Sequence, residues 1–221
     1  MIKTIFFDFD DTLGNRELYA WNAYHDILKE NTDLSGMEFE AVLQEVMIWD
    51  QKGDVNKNYI KEMLAKVFDI HLPYPDFNTY WDSLLYKYCV PMEDAADTLS
   101  YLEKKYRLGI ISNGPSDAQR NKLKKSGLES FFDENVVFIS GDFGIKKPDP
   151  RLFLKACELA GAKPEECLVL EDSAAGIQAA YAAGIPVICI PDLKTPGEED
   201  AAKTAAILPS LADVIEYLKE N

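Results

Sequence analysis

The sequence contains very little histidine and no paired cysteines. Only two histidines, His25 and His71, occur among 221 residues, and neither belongs to an HExxH motif or a histidine cluster. This scarcity argues against a histidine-based catalytic triad and against a zinc site with histidine ligands. The four cysteines are far apart and form no CxxC pair, which predicts reduced and mostly buried thiols. Any catalysis must therefore depend on carboxylates.

The chain also lacks an excess of positive charge and any long apolar run. It has 23 Lys and Arg against 38 Asp and Glu, for a formal net charge of -15. Such an acidic surface argues against nucleic acid or anionic membrane as a partner. The apolar run at residues 2–7 is too short for a secretory signal, and no 18-residue apolar span occurs. We expect a cytoplasmic protein that is a monomer or a weak dimer.

The composition, with 47% hydrophobic and 28% charged residues, is that of a globular protein, and the apolar pattern indicates its class. Short apolar runs that suit buried strands lie at residues 2–7, 108–111, 136–139, 167–170 and 185–190. Helical patterns separate or follow the later runs at residues 93–105, 116–127, 150–161, 173–183 and 209–219. Alternating strands and helices predict an α/β fold with a doubly wound parallel sheet.

Residues 15–90 interrupt this alternation. They show no buried strand, and their apolar spacing predicts helices near residues 17–30, 36–50, 57–68 and 76–89. They also hold 13 of the 25 aromatic residues, including all three tryptophans, which we expect to fill mainly a small core of their own. We therefore predict a core domain at 1–14 and 91–221 and an all-helical insertion at 15–90. The polar segment 192–205 is predicted to be a solvated loop.

Acidic and polar residues follow several of the predicted strands. They stand at residues 8–12, 112–114, 140–142 and 171–173, and Lys147 lies between the last two groups. The carboxyl ends of parallel strands meet at one edge of a sheet, where ligands bind. Two carboxylates about 4 Å apart repel by about 4 kcal/mol at an effective dielectric constant near 20, so a cation is needed there. Oxygen ligands without histidine or thiolate suit Mg²⁺, which also allows a phosphate group to approach.

These residues resemble the haloacid dehalogenase superfamily, and specifically its phosphatase branch. The resemblance rests on four ordered motifs: DxDxT at Asp8, Asp10 and Thr12; Ser112-Asn113; Lys147 in KPDP; and Glu171-Asp172-Ser173 with Gly176 following. It spans essentially the whole chain, and the helical insertion after the first motif resembles the cap of subclass I. The resemblance therefore implies a Rossmann-like core with a helical cap.

The resemblance also implies a role for each matching residue. Asp8 would be the nucleophile that forms an aspartyl-phosphate, and Asp10 would be the general acid and base, oriented by Thr12. Ser112, the Asn113 backbone and Lys147 would bind the phosphoryl oxygens, and Lys147 would also hold Asp8 ionised. Mg²⁺ would bind Asp8, the Asp10 carbonyl and Asp172, with Glu171 nearby or in the outer coordination shell.

Three neighbouring residues are ambiguous in the sequence alone. Lys146 is adjacent to Lys147, and only the alignment of the prolines favours Lys147 as the lysine of the site, with Lys146 as a solvated neighbour. Asp11 is interpreted as a turn or surface residue. Arg16, at the start of the helical insertion, is either a surface arginine or a contact for substrate.

The predicted activity is Mg²⁺-dependent hydrolysis of a small phosphomonoester. A general acid at Asp10 disfavours dehalogenation in this superfamily. A sugar-phosphate mutase of the β-phosphoglucomutase type shares the four motifs, but residues 15–90 hold seven Lys or Arg against 13 Asp or Glu, which suits a second phosphate poorly. A receiver-like signalling switch that holds phosphate without turnover is a further alternative. The substrate is expected to be a nucleoside monophosphate or a sugar phosphate.

Overall fold

The computed structural model describes residues 1–191 and 196–220. The chain divides into two compact units, one formed by Met1–Asn15 with Pro91–Asn221 and the other by Arg16–Val90. We call them the sheet unit and the helical unit.

A parallel sheet forms the centre of the sheet unit. Its strands are β1 (Thr4–Phe7), β2 (Arg107–Ser112), β3 (Val137–Ile139), β4 (Cys167–Glu171), β5 (Val187–Cys189) and β6 (Ala206–Ile207). Within the described residues the sheet has six strands in the order β3-β2-β1-β4-β5-β6. All five neighbouring pairs are parallel. The first strand therefore lies in the middle of the sheet, between β2 and β4.

Helices account for most of the remaining structure. Those of the helical unit are α1 (Arg16–Asn31), α2 (Gly36–Asp50), α3 (Lys57–Phe68) and α4 (Phe77–Leu84). Those of the sheet unit are α5 (Ala95–Leu102), α6 (Ser116–Lys125), α7 (Ser140–Phe143), α8 (Arg151–Ala160), α9 (Ala174–Ala182), α10 (Glu198–Ala201) and α11 (Leu211–Glu220).

The predicted α/β fold with a doubly wound parallel sheet is confirmed. Each of the five predicted strands overlaps an observed one, because strands covered on both faces are continuously apolar in sequence. All four residues of β1 are buried. The core that surrounds the strands is built from aliphatic and aromatic residues such as Phe6, Phe138 and Phe153. The four cysteines are free and buried, as predicted.

The prediction of a solvated loop at 192–205 is wrong in part. Glu198–Ala201 lies inside the predicted loop and forms a one-turn helix, α10. Strand β6, at Ala206–Ile207, begins just after the predicted loop. A two-residue edge strand has no periodicity that could reveal it, and it forms only because Ile188 of β5 pairs with Ala206. Residues 192–195 of the predicted loop lie outside the described residues.

The helical unit has its own core, in which several aromatic side chains are buried. Tyr19, Tyr24, Phe77 and Trp81 are almost completely inaccessible, and the rings of Tyr24 and Trp81 lie 4.2 Å apart. Trp49 packs on Phe68 with ring centroids 5.8 Å apart. These contacts agree with the expectation that the aromatic residues serve mainly the core of this unit. That the unit acts as a cap stays a prediction.

Of the two alternatives for Arg16, the surface arginine is wrong, and contact with substrate stays a prediction. It is 5% exposed, and its Nη2 lies 2.8 Å from Asp50 Oδ2. Lys57 Nζ donates to Asp50 Oδ1, and the Tyr24 hydroxyl donates to the same atom at 2.7 Å. Gly53 leaves room for the Arg16 side chain, because a Cβ at residue 53 would lie 2.8 Å from Arg16 Nη2. The helical unit thus contains a buried ionic cluster made of Arg16, Tyr24, Asp50 and Lys57.

Candidate active site

The carboxyl ends of β1 and β4 bring three carboxylates to one edge of the sheet. The register pairs Phe7 with Leu170, and the N–H of Asp8 donates to the carbonyl of Leu170 at 2.9 Å. Asp8 therefore lies beside Glu171 and Asp172, which follow at the end of β4. This closeness follows from parallel pairing, which sets equivalent strand ends side by side.

Lys147 is the cation at the centre of this group. Its side chain is buried, and Nζ donates to Asp8 Oδ1 at 2.5 Å and also to Glu171 Oε1. Burial alone would lower the pKa of Lys147, but the charges of Asp8 and Glu171 outweigh burial and raise it. Lys146 is exposed. Of the two adjacent lysines, only Lys147 is thus placed to act on Asp8.

Asp8 carries a perturbed carboxyl group. Burial raises its pKa to about 7, the charges of Glu171 and Asp10 add to the rise, and Lys147 opposes it. One buried lysine therefore does not offset burial and the negative charge around Asp8. A second positive group at this edge would therefore favour the ionised carboxylate.

The end of β2 holds the lysine segment in place. The side-chain oxygen of Asn113 accepts from the backbone N–H of Lys147 at 2.9 Å, and its amide nitrogen donates to the Lys147 carbonyl at 3.3 Å. The resemblance implied only a backbone role for Asn113 toward phosphate. The structure adds that its side chain fixes the backbone from which Lys147 extends toward Asp8.

Glu171 is an internal partner of the lysine. It is fully buried, and its Oε2 accepts from the N–H of Ser173 at 2.9 Å and from the Ser173 hydroxyl at 2.8 Å. With Lys147 on Oε1, both oxygens of Glu171 have protein partners. Such a carboxylate is suited to orienting Lys147 more than to binding a metal directly.

Gly176 leaves the space that Glu171 occupies, and this yields a testable prediction. A Cβ at residue 176 would lie 1.8 Å from Glu171 Oε1, so Gly176→Ala must displace the buried carboxylate. We expect the variant to lose about 1–3 kcal/mol of unfolding free energy, as overpacked cores do, in urea denaturation. Gly197→Ala is the control, because no atom lies within 4 Å of a Cβ there. Equal stability of the two variants would contradict the assigned packing.

Asp10 is held by two residues that the sequence analysis did not identify. Lys122 Nζ lies 2.8 Å from Asp10 Oδ1 and 2.6 Å from Oδ2, and Gln119 Nε2 donates to Oδ2 at 2.9 Å. Both side chains belong to α6 and are buried. Their spacing of three residues places them on one face of the helix, which was the only signal in the sequence that could have identified them.

Thr12 and Asp11 lie in the turn after β1. The hydroxyl of Thr12 donates to Asp172 Oδ1 at 3.4 Å, whereas the resemblance implied an orienting contact with Asp10. Asp11 is a turn residue, as expected, but it is not on the surface: it is 3% exposed and has a φ of +63°. An aspartate tolerates this left-handed conformation better than most side chains, which explains its place in the turn.

The oxygen atoms at this edge fit a divalent cation of the Mg²⁺ type. Burial and the neighbouring charges of Glu171, Asp8 and Asp11 raise the pKa of Asp172 well above its ordinary value. Among the described residues, no group of three or more His, Cys, Asp or Glu side chains is arranged as a metal site. The Asp8 and Asp172 carboxylates with the Asp10 carbonyl would provide oxygen ligands only. Mg²⁺ accepts such a small protein set because it retains water and binds phosphate oxygens.

The chain is similar in sequence to proteins of a known hydrolase family. A family model described as haloacid dehalogenase-like hydrolase matches residues 2–184. The glyceraldehyde 3-phosphate phosphatase of Methanothermobacter thermautotrophicus is 30% identical over 229 residues, covering 100% of this chain and 99% of that protein.

No helix among the described residues has the length and apolar character needed to cross a membrane.

Two solved structures are similar over nearly their whole length. A HAD family hydrolase from Deinococcus radiodurans R1, with bound phosphate and sodium, has a TM-score of 0.74 and 25% identity, covering 99% of this chain and 96% of that one. The HAD-hydrolase YfnB from Bacillus subtilis, bound to magnesium, has a TM-score of 0.76 and 22% identity, covering 98% of each chain. The shared fold therefore includes residues of both units.

Proposed function

The chain belongs to the haloacid dehalogenase-like hydrolases and is a phosphatase, and from this membership we propose that it hydrolyses a small phosphomonoester through an aspartyl-phosphate on Asp8, with Mg²⁺ as cofactor. The observation that carries the proposal is the hydrogen bond from buried Lys147 to Asp8, at the edge of the sheet where Asp172 also lies. A structural ion pair would not need two further carboxylates, Glu171 and Asp172, beside it.

Asp8 is the nucleophile in this proposal. Its Oδ1 accepts from Lys147, so the contact orients the carboxylate and leaves Oδ2 for attack on phosphorus. The Asp8 oxygen forms a bond to phosphorus as the ester P–O bond breaks. The positive charge of Lys147 also offsets the charge on the transferring phosphoryl group, and catalysis relies on this positioning and charge stabilisation.

Asp10 is the general acid and base. It lies two residues after Asp8, and its side chain is 23% exposed, so one side of the carboxylate is open to a reacting group. In the first step it would protonate the leaving ester oxygen, and in the second it would take a proton from the attacking water.

Phosphoryl binding is assigned to the end of β2 and to Lys147. The Ser112 hydroxyl is oriented by Gln119 Nε2, which lies 2.9 Å away, and the Asn113 side chain fixes the Lys147 backbone. Ser112 and the backbone of Asn113 would donate to phosphoryl oxygens. Thr12 supports Asp172 through its hydroxyl.

The residues that would hold Mg²⁺ are Asp8, Asp10 through its carbonyl, and Asp172. When bound, the ion would neutralise the clustered carboxylates and polarise the phosphoryl group. The buried Glu171 has both oxygens bound within the protein and is assigned to the outer shell.

For the substrate, we propose a small sugar phosphate, with a triose phosphate as the first compound to test. The support comes from the relative named glyceraldehyde 3-phosphate phosphatase, which matches this chain from end to end. Nucleoside monophosphates remain the second class. We further propose that the enzyme acts in the cytoplasm as a monomer or weak dimer.

The test is phosphate release from a panel of esters that includes glyceraldehyde 3-phosphate, hexose phosphates, nucleoside monophosphates and p-nitrophenyl phosphate. We expect multiple turnovers, with the highest kcat/KM on a small sugar phosphate. Conversion of a hexose phosphate to an isomer without phosphate release would instead indicate a mutase. A single stoichiometric phosphorylation without turnover would indicate a signalling switch.

The same assay tests the metal. We expect EDTA to lower turnover by at least about 100-fold, since a metal ion contributes several kcal/mol to charge stabilisation, and added Mg²⁺ to restore it. Turnover that is unchanged by EDTA would contradict the cofactor assignment while leaving the phosphatase assignment intact.

A further inference from the structure

The inner face of α6 presents two polar side chains to a single carboxylate. Lys122 is 6% exposed and Gln119 is 4% exposed, although both are long side chains that usually reach solvent. Together they make three contacts with the two oxygens of Asp10, at 2.8, 2.6 and 2.9 Å. A carboxylate that accepts contacts on both oxygens has lost its rotational freedom.

The same helix connects Asp10 to the end of β2. Gln119 Nε2 also lies 2.9 Å from Ser112 Oγ and 2.5 Å from the carbonyl of Asn113. Gly114 makes room for this side chain, because a Cβ at residue 114 would lie 2.9 Å from Gln119 Cγ. The turn after β1 and the turn after β2 are therefore joined through one amide group.

From this arrangement we infer that Lys122 and Gln119 are positioning residues, which hold the Asp10 carboxylate for the hydrolysis of the phosphoenzyme. The inference rests on the proposed function. Lys122 contacts both oxygens of Asp10 and Gln119 contacts one of them, so the two side chains restrict the carboxylate to one orientation.

The step that depends on this positioning is the second half of the reaction. The water oxygen forms a bond to phosphorus while the bond between phosphorus and Asp8 breaks. One hydrogen of the water stays on the released phosphate, the other passes to Asp10, and Asp8 is restored as a carboxylate. A general base contributes about 10²–10⁴-fold to such a step when it is well placed.

The experiment compares Lys122→Met with the wild-type protein on p-nitrophenyl phosphate. p-Nitrophenolate leaves without needing a proton, so phosphoenzyme formation depends little on Asp10, whereas hydrolysis of the phosphoenzyme still needs the base. We expect Lys122→Met to show a burst of p-nitrophenol close to one equivalent per site. A steady rate lowered by about 10-fold or more and a raised level of acid-quenched phosphoenzyme should accompany the burst.

Two further variants make the result specific. Lys124→Met removes an exposed lysine from the same helix and should behave like the wild-type protein. Lys122→Arg keeps the charge and should restore most of the steady rate. Because only folded sites give a burst, the burst amplitude of Lys122→Met also reports how much of that variant is folded.

The outcomes separate this inference from the proposed function. If the wild-type protein releases no p-nitrophenol, the proposed function fails. If the wild-type protein turns over and Lys122→Met shows neither a burst nor more phosphoenzyme, whether its rate is normal or reduced, the positioning role is overturned. A loss in Lys122→Met that Lys122→Arg does not restore would also overturn it.

Discussion

Asp8→Asn is expected to lower phosphate release by about 10⁴-fold or more and to abolish the phosphoenzyme. The amide cannot attack phosphorus as a carboxylate does, and removal of a catalytic nucleophile has effects of at least this size. The substitution keeps the shape of the side chain, and Lys147 keeps Glu171 as its partner. The loss should therefore arise from the missing nucleophile and not from unfolding.

The measurement is turnover of p-nitrophenyl phosphate together with acid-quenched labelling by a substrate with radioactive phosphate. Asp97→Asn, at an exposed position of α5, is the matched control and should keep wild-type turnover. Labelling of Asp8→Asn at the wild-type level would mean that another residue accepts the phosphoryl group, and the mechanism would be wrong.

Asp50→Asn is expected to destabilise the helical unit by about 3–5 kcal/mol. Asp50 is completely buried and contacts Arg16, Lys57 and Tyr24. Its replacement leaves two buried cations without their shared counter-charge, which costs far more than loss of an exposed pair. Because native proteins are stable by only about 5–15 kcal/mol, this single change would remove a large part of the total.

Tryptophan fluorescence during urea denaturation measures this effect directly, because all three tryptophans lie in the helical unit. Asp54→Asn is the control. Asp54 is exposed and close in sequence, and we expect its replacement to change stability by less than about 0.5 kcal/mol. A similar small change in Asp50→Asn would show that the ionic cluster contributes little.

The contribution of Asp50 should also depend on pH. Burial alone would raise the pKa of Asp50, but Arg16 and Lys57 outweigh burial and hold it below its ordinary value. A carboxyl with a lower pKa in the folded state stabilises the protein above its unfolded pKa, and this contribution is lost as pH falls. The difference in unfolding free energy between wild-type and Asp50→Asn should therefore shrink in acid.

The strands and their polar ends could be predicted because each is a local pattern. A buried strand such as 167–170 is a short apolar run, and the acidic residues that follow it are visible in the next positions. The ordered motifs also indicated the family, which the comparisons confirmed. The roles of Asp8, Asp10 and Asp172 stay predictions, although the structure brings these residues to one edge of the sheet.

The partners of charged side chains could not be predicted in the same way. Gln119 and Lys122 share one face of a polar helix, but their spacing alone does not indicate that this face is turned inward. The sequence left undecided whether Arg16 lies on the surface or contacts substrate. Its burial depends on Asp50 and Lys57, which belong to two other helices. Thr12 likewise lies close in sequence to Asp10 but donates to Asp172.

The sequence by itself determined that the carboxylates gather at a single edge, because parallel strands place their carboxyl ends together whatever the intervening segments do. Tertiary structure alone decided which cation meets which carboxylate. Lys147 lies 139 residues from Asp8 and Lys122 lies 112 residues from Asp10, so both contacts depend on how distant segments pack. An ion pair acts over a few ångströms in space, and separation along the chain carries no information about that distance.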